Sequence, residues 1–326
     1  MGFDVHTAGF KMLKPFRFRF FESKVKAAKA LFLITILLAI SSLAIKTGSA
    51  NPDWDAYEYA YDNSISGFDP LYLIFSEVSL SLFNLSYFNF YFFLVFLNLA
   101  MIAYLIRNPF AALLGCVSLF MYIETNVGVQ IRWGLAATTT MIALQFASKR
   151  LTGLLGIGSI LFQFFALVPI SLIILISYFW KKLESNTSIL FCTIAALVLM
   201  VYFDSIINLI IPSESKYFGY LNSDFSNYKS TSSIVYIFVM FGIEIIILKY
   251  SNICKLDRCN IIMTIYIRII EIASFSFMVI SGRLLIYSML LEVLVIRGQL
   301  RQKNKGLLLI YVLLSSSKIV YWLLPQ

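Results

Sequence analysis

Long apolar runs separated by short polar intervals make up most of the chain. The runs are continuous rather than alternating, so each predicts a helix. At the length that a bilayer demands, they predict an all-α, polytopic integral membrane protein, a helical bundle with about ten or eleven transmembrane helices, some of them short or broken. The predicted spans are residues 30–45, 88–106, 110–123, 133–146, two spans within 151–180, then 189–211, 234–248, 260–280, 284–296 and 307–324.

Basic residues between the runs orient the predicted helices, because lysine and arginine collect in cytoplasmic loops. Residues 1–29 are rich in lysine, arginine and phenylalanine, which predicts an amphipathic segment on the cytoplasmic surface. Residues 30–326 then form a single transmembrane domain, with large outer loops at 46–71 and 212–233. A signal peptide is the rival interpretation, since Gly48-Ser49-Ala50 resembles a cleavage site, but the long basic lead-in favours an uncleaved signal anchor.

The run 151–180 is interrupted in the middle. Lys149-Arg150 precedes it and Lys181-Lys182 follows it, so both ends are predicted to be cytoplasmic and the run must cross an even number of times. We predict two short helices that meet near residues 163–166, with Pro169 early in the second helix. Interrupted helices are often the place where membrane proteins build cavities. Residues 71–87 are amphipathic and are predicted to lie along the outer surface.

Composition removes several classes of protein. The chain is 60% hydrophobic and only 13% charged, which excludes an ordinary soluble domain. The net charge of +9 is explained by basic cytoplasmic loops, so nucleic-acid binding is not predicted. His6 is the only histidine, which excludes a histidine-based triad or metal cluster. Cys254 and Cys259 share one short loop but lack the further ligands that a zinc site needs.

The first outer loop interleaves carboxylates with aromatic rings. Its carboxylates are Asp53, Asp55, Glu58, Asp62 and Asp69, and its rings are Trp54, Tyr57, Tyr59, Tyr61 and Phe68. Carboxylates accept hydroxyl protons and rings cover pyranose faces, so the combination is typical of a sugar site. We predict that Asp55 or Asp69 lies near an acceptor sugar as general base, with Tyr59 and Tyr72 as its partners. The alternative is a solvated loop with an interfacial aromatic belt.

Few basic residues fall on the predicted outer face, and Arg132, Lys216 and Arg283 are among them. A guanidinium group matches phosphate oxygens with two parallel hydrogen bonds. The set suits transfer of a sugar chain from a lipid pyrophosphate to a hydroxyl group, with the arginines holding the pyrophosphate while a carboxylate takes the proton. Gly134 and Gly282 are predicted to leave room for the headgroup. For Arg132 and Trp133 the alternative is an interfacial anchor.

Further polar side chains are predicted to contact substrate. They are Glu124, Gln163, Lys216, Tyr217 and Tyr220. Gln163 can donate and accept hydrogen bonds but cannot take a proton at neutral pH, so at most it orients a hydroxyl group. Inside the predicted bundle, Arg268 and Glu271 are spaced to pair on one helix face, and we predict a structural ion pair.

A series of short motifs follows a defined order along the chain. The first three are Asp55-Ala-Tyr-Glu-Tyr59, Asp69-Pro-Leu-Tyr72 and Asn84-Leu-Ser-Tyr87-Phe88. The later three are Ile131-Arg-Trp-Gly-Leu-Ala136, Lys216-Tyr-Phe-Gly-Tyr220 and Gly282-Arg-Leu-Leu-Ile-Tyr287. Together they resemble the EpsG family of Wzy-like polysaccharide polymerases, over most of the chain. Trp133 departs from the family's usual glutamine, and Gln163 lies where members often have a histidine.

The resemblance implies a membrane glycosyltransferase that joins oligosaccharide repeat units on the periplasmic, or outer, face of the bacterial inner membrane. The product would be O-antigen, capsule or exopolysaccharide. Donor and acceptor would both be linked to undecaprenyl diphosphate in the lipid bilayer. Because such a donor is already activated, no nucleotide sugar is expected. The resemblance implies no metal or other cofactor, and nucleic acid is not a partner. A chain-length regulator and a flippase of the same pathway are the further partners that the resemblance implies.

Two other classes of protein remain open. A transporter or flippase of lipid-linked oligosaccharide predicts repeat-related halves and polar residues in mid-membrane. A non-enzymatic membrane partner of a polysaccharide assembly complex would leave Arg132 and Arg283 free to be replaced.

Overall fold

The helices along the chain follow the apolar runs of the sequence. The computed structural model describes residues 33–38, 40, 48–65, 69–146, 149–210, 231–251, 253–275, 278–302 and 305–323. Within these ranges the chain forms helices joined by turns and contains no strand, which confirms the all-α class. The basic segment 1–29 and residues 212–230 of the second outer loop lie outside the described residues.

The helices are named here in chain order. The first are α1 (Trp54–Asp62), α2 (Pro70–Phe83), α3 (Tyr87–Ile106), α4 (Pro109–Leu114), α5 (Cys116–Tyr122), α6 (Ile131–Gln145) and α7 (Lys149–Phe162). The later ones are α8 (Leu167–Leu183), α9 (Asn186–Ile210), α10 (Thr231–Tyr250), α11 (Lys255–Ala273), α12 (Met278–Gln302) and α13 (Lys305–Leu323). A π-helical turn, Ile123–Val127, follows α5 and leads to α6.

Two helical segments among the described residues are long and apolar enough to cross a membrane: Tyr87–Ile106 and Phe164–Leu183. Shorter apolar helices accompany them, and α7 and α9 expose large apolar side chains such as Leu154, Phe191 and Val201. Side chains of this kind on an outer surface suit lipid rather than water. These features indicate a membrane protein, while the count of ten or eleven spans stays a prediction.

The predicted interruption of the run 151–180 is confirmed. Helix α7 ends at Phe162, Gln163 is extended (φ −162°, ψ 117°), and one 3-10 turn leads into α8. Pro169 lies in the first turn of α8, where its missing N–H is not needed by the helix. The break frees the Gln163 side chain from a helix face and turns it toward α6.

Helices α6, α11 and α12 form the centre of the bundle, because long stretches of each are buried on all sides. Helices α6 and α12 run parallel. Near their N-terminal ends Trp133 faces Arg283, and near their C-terminal ends Arg297 donates to Gln145 Oε1 at 2.6 Å. Arg297 also donates to the carbonyl of Leu105 at the end of α3, at 2.7 Å.

One predicted boundary is wrong. The predicted spans 260–280 and 284–296 leave Ser281-Gly282-Arg283 as the outer turn between them, whereas α11 ends at Ala273 and α12 begins at Met278, so Arg283 lies inside α12. Serine and glycine suggested a turn, but both are tolerated in a helix whose other faces are packed. The predicted ion pair between Arg268 and Glu271 is confirmed, with Nη1 and Oε2 2.9 Å apart.

Candidate active site

The centre of the candidate site is an ion pair between Asp69 and Arg132. Asp69 precedes Pro70 at the start of α2, yet its carboxylate caps no backbone N–H of that helix. Instead, Asp69 Oδ2 pairs with Nη1 of Arg132, in the first turn of α6. Each side chain is 17% exposed, so a ligand can reach both groups although most of their surface is covered.

Two tyrosines surround the Arg132 guanidinium group. Arg132 Nε donates to the Tyr57 hydroxyl at 2.9 Å, and the centroids of the Tyr57 and Tyr72 rings lie 5.2 and 5.8 Å from Arg132 Cζ. Burial raises the pKa of Tyr57, although the positive charge of Arg132 opposes that shift. The Tyr57 hydroxyl therefore stays protonated and serves as a neutral acceptor for Arg132. Cation–π contact with both rings adds to the attraction.

Gln163 connects Asp69 to Trp133 through the two ends of its amide group. In the amide orientation that satisfies both of its neighbours, Gln163 Nε2 donates to Asp69 Oδ2 at 2.6 Å and to Oδ1 at 3.1 Å. Its oxygen accepts from the Trp133 indole N–H at 3.1 Å. Both ends of the amide are thus engaged by protein groups. Gln163 holds Asp69 in place, a role different from the predicted orientation of a substrate hydroxyl.

Helix α12 contributes Arg283 to the site. Its Cζ lies 4.4 Å from the centroid of the Trp133 ring, a distance at which cation–π attraction operates. The Trp133 ring also packs against Phe165, with ring centroids 5.5 Å apart. Arg132 and Arg283, far apart in sequence, therefore meet around Trp133 and the helix break. The structure brings together five of the predicted residues: Asp69, Tyr72, Arg132, Gln163 and Arg283.

Other predicted residues lie elsewhere. Asp55 and Tyr59 stand on the exposed face of α1, opposite Tyr57, and Tyr59 is 64% exposed. Glu124 is partly buried in the π-helical turn, a type of structure that is frequent at functional sites. Lys216, Tyr217 and Tyr220 lie outside the described residues.

The two glycines beside the arginines differ from each other. A Cβ added at Gly134 would stand 2.5 Å from both the Asn126 carbonyl oxygen and Asn98 Nδ2. The small size of Gly134 therefore serves the packing of α6 against its own lead-in turn, and the predicted space for a headgroup is wrong at this position. A Cβ at Gly282 would meet no atom of the described residues within 4 Å.

Tyr57 was missed as a site residue by reasoning from the sequence. The signal that points to it is the spacing of Trp54, Tyr57 and Tyr61, which puts three buried rings on one face of a helix. The polar composition of residues 46–71 predicts a loop, in which this helical spacing has no meaning, and the predicted Tyr59 is exposed.

The described residues contain no group of three or more His, Cys, Asp or Glu side chains placed to hold a metal ion. The chemistry that the site can perform rests on two guanidinium groups, one carboxylate and the surrounding tyrosine hydroxyls. Such a set can bind a phosphate-containing anion and accept a proton close to it.

Comparison with known proteins identifies a family for the chain. No curated protein and no solved structure matches the chain. The EpsG family model matches residues 29–325, a range that contains every described residue of the candidate site. The chain therefore belongs to the EpsG family.

Proposed function

We propose that the protein is a Wzy-type polysaccharide polymerase, a membrane glycosyltransferase that joins oligosaccharide repeat units linked to undecaprenyl diphosphate. The EpsG family is linked to exopolysaccharide synthesis, which supports the pathway. The observation that carries the proposal is one partly accessible cluster in which Trp133 and Gln163 connect Arg283 to the pair of Asp69 and Arg132. The predicted topology places this cluster at the outer, periplasmic side of the bacterial inner membrane.

The reaction is a substitution at the anomeric carbon of the donor sugar. A hydroxyl oxygen of the acceptor repeat unit forms a bond to that carbon, and the bond from the carbon to the pyrophosphate oxygen breaks. The bonding electron pair leaves with undecaprenyl diphosphate, and the hydroxyl proton passes to the Asp69 carboxylate. Negative charge grows on the leaving pyrophosphate in the transition state, so fixed cations beside it accelerate the reaction.

The ion pair between Asp69 and Arg132 suggests an order of events in which the donor binds before Asp69 accepts a proton. An arriving pyrophosphate competes with Asp69 for the Arg132 guanidinium group, because phosphate oxygens match its fork equally well. Arg132 remains fixed by Tyr57, while Asp69 remains held by Gln163. Donor binding thus releases the carboxylate for proton transfer at the moment when an acceptor hydroxyl is needed.

Arg283 is the second cation for the leaving group. Its contact with Trp133 holds the guanidinium group beside the site. A cation–π contact is worth about 0.5–2 kcal/mol, so the contact with Trp133 does not by itself prevent Arg283 from binding phosphate oxygens.

A transporter of lipid-linked oligosaccharide is the second candidate function. The observation in its favour is a set of ionisable side chains buried among α10 to α13, including Glu244, Arg268 and Lys318. Ionisable residues inside a membrane domain frequently mark transport pathways.

An assay without compartments separates the two functions. Purified protein in detergent micelles is given a synthetic repeat unit on undecaprenyl diphosphate, and chain length is measured by gel electrophoresis. A polymerase forms chains of many repeat units and releases undecaprenyl diphosphate, because the reaction needs no second compartment. A protein that only moves the lipid across a bilayer leaves the single repeat units unchanged, and that result would contradict the proposal.

A further inference from the structure

Five charged side chains form a second cluster, buried among the last four helices. Its members are Glu244 on α10, Arg268 and Glu271 on α11, Glu292 on α12 and Lys318 on α13. Their side chains are between 0% and 6% exposed. None of them contributes to the contacts of the candidate active site described above. The cluster therefore calls for a separate explanation.

Arg268 occupies the middle of this cluster. Its Nη1 lies 2.9 Å from Glu271 Oε2, and its Nη2 lies 2.6 Å from Glu292 Oε1. Its Nε is 3.7 Å from Glu244 Oε1, beyond the length of a hydrogen bond. Lys318 pairs with the other oxygen of Glu292.

The charges of the cluster do not balance if all five groups are ionised. Arg268 and Lys318 supply two positive charges, whereas Glu244, Glu271 and Glu292 would supply three negative charges. A net charge buried away from water is costly, and a carboxyl group in such a place takes up a proton instead. One proton on one carboxylate makes the cluster neutral.

The hydrogen bonds identify which carboxylate takes the proton. Glu292 accepts from Arg268 and Lys318, and also from Ser118 at 2.6 Å and from Tyr236 at 2.8 Å. Its negative charge is therefore well stabilised. Glu271 Oε1 also has no hydrogen-bond partner among the described residues, but its Oε2 accepts a charge-assisted hydrogen bond from Arg268 at 2.9 Å, which Glu244 lacks.

Glu244 is the least stabilised as an anion. Its Oε1 accepts from the Tyr311 hydroxyl at 3.2 Å, and its Oε2 has no hydrogen-bond partner among the described residues, although the residue is fully buried. The titratable groups that face this cluster from α10 to α13 are Tyr236, Arg268, Glu271, Glu292, Tyr311 and Lys318.

We propose that Glu244 is a proton-binding site of the folded protein, whose bound proton balances the charges around Arg268. The ligand is a proton, and the site is distinct from the residues that would bind lipid-linked sugar. The inference stands on charge balance and hydrogen-bond geometry alone, so it holds whether or not the protein is a polymerase.

Infrared difference spectroscopy tests the bound proton directly. A protonated carboxyl group has a carbonyl stretching band that a carboxylate lacks. We expect the purified wild-type protein at neutral pH to show this band and the variant Glu244→Gln to lack it. The control Glu184→Gln, which alters a carboxylate that is 24% exposed and paired with Arg258, keeps the band. A wild-type protein without the band, or a Glu244→Gln variant that retains it, overturns the proposal.

Thermal stability provides an independent measurement. Glutamine has the shape and the neutral charge of protonated glutamate, so Glu244→Gln should melt within about 3 °C of the wild type. Glu292→Gln removes the carboxylate that accepts hydrogen bonds from Arg268, Lys318, Ser118 and Tyr236, and it should melt roughly 10 °C lower. If Glu244→Gln fails to fold, or is destabilised as much as Glu292→Gln, Glu244 is an anion in the folded protein and the proposal is wrong.

Discussion

A partly buried arginine needs groups that replace the water it has lost. For Arg132, Asp69 supplies the anion, Tyr57 supplies a neutral acceptor, and the rings of Tyr57 and Tyr72 lie 5.2 and 5.8 Å from the guanidinium carbon. Gln163 fixes the carboxylate from the other side. The proposed cation and the proposed base are therefore positioned by the protein before any substrate arrives, which is the arrangement that favours a charged transition state.

Of the two candidate carboxylates, Asp69 is the one whose geometry favours the proposed role of general base. We expect Asp69→Asn to lower the rate of polymer formation by roughly a hundred- to ten-thousandfold, the usual contribution of such a base. Asp55→Asn is the matched control, because Asp55 lies on the exposed face of α1 and should leave the rate unchanged. The measurement is initial rate with purified protein at equal amounts in the membrane fraction. If Asp55→Asn is the variant that loses activity, the assignment is reversed.

The charged residues of the site could be predicted from the sequence, but the sequence does not show that Tyr57 rather than Tyr59 belongs to the site. Arg132 and Asp69 stand out because a charge beside an apolar run is costly and requires a reason. A tyrosine carries no such signal, since either of the two rings could face solvent. The choice depends on whether residues 54–62 are helical, and hydropathy in a short polar segment does not show this.

At the scale of elements, the approach of α6 to its own lead-in turn shapes the site. The π-helical turn Ile123–Val127 passes so close to Gly134 that no side chain fits between them. This contact fixes the first turn of α6, which carries Arg132 and Trp133. The hydroxyl of Tyr122 also donates to the Gly134 carbonyl at 2.7 Å, so the two segments are joined by a hydrogen bond as well as by packing.

Two glycine substitutions test this packing. Gly134→Ala forces a methyl group against the Asn126 backbone, and overpacking of this kind costs about 1–3 kcal/mol. Gly282→Ala places the same methyl group in open space on a helix and should leave stability unchanged or raise it by up to about 1 kcal/mol. Thermal unfolding in detergent compares the two. Equal melting temperatures for Gly134→Ala and the wild type would show that α6 is free to shift.

The break in the run 151–180 could be predicted from the sequence, but the contacts that Gln163 makes at the break could not. The basic pairs at both ends of the run are predicted to be cytoplasmic, so the run must cross the membrane twice. Two crossings require a break near the middle of the run, whatever the fold. The contacts of Gln163 with Asp69 and Trp133 depend on how α7 packs beside α2 and α6, which a single sequence does not contain. For the same reason the turn before α12 was misplaced, because apolar residues on both sides conceal where one helix ends.

At the scale of the whole molecule, the parallel pair α6 and α12 fixes which residues share a side. Arg132 and Arg283 lie near the N-terminal ends of these helices, and the contact between Gln145 and Arg297 lies near their C-terminal ends. This arrangement agrees with an outer position for the two arginines and a cytoplasmic position for Lys149 and Arg301. The sequence predicted this sidedness from its basic loops, although it could not predict that the two helices touch.

Cysteine labelling tests the sidedness. In a background without the native cysteines, Asn63→Cys and Ser185→Cys both place an exposed thiol at the end of a helix. An impermeant reagent applied to intact spheroplasts should label Asn63→Cys, which is predicted to be outside. It should label Ser185→Cys, which follows Lys181-Lys182, only after lysis. Labelling of Ser185→Cys in intact cells would invert the topology and place the site in the cytoplasm.

The strongest test of the site as a unit is a double-mutant cycle on its two arginines. If Arg132 and Arg283 stabilise one leaving pyrophosphate, each Arg→Ala change removes about 3–4 kcal/mol of transition-state stabilisation, a hundred- to thousandfold loss of rate. Arg→Lys at either position keeps the charge but loses the fork, and should recover little of that rate. Because residues that act together are not additive, the double variant should be scarcely slower than the worse single variant. Arg258→Ala is the matched control, since Arg258 also pairs with a carboxylate at 25% exposure and should neither slow the reaction nor change the effect of Arg132→Ala. If the fold-loss of rate in the double variant equals the product of the two single fold-losses, the two arginines act independently. That result would contradict the proposal that both stabilise one pyrophosphate.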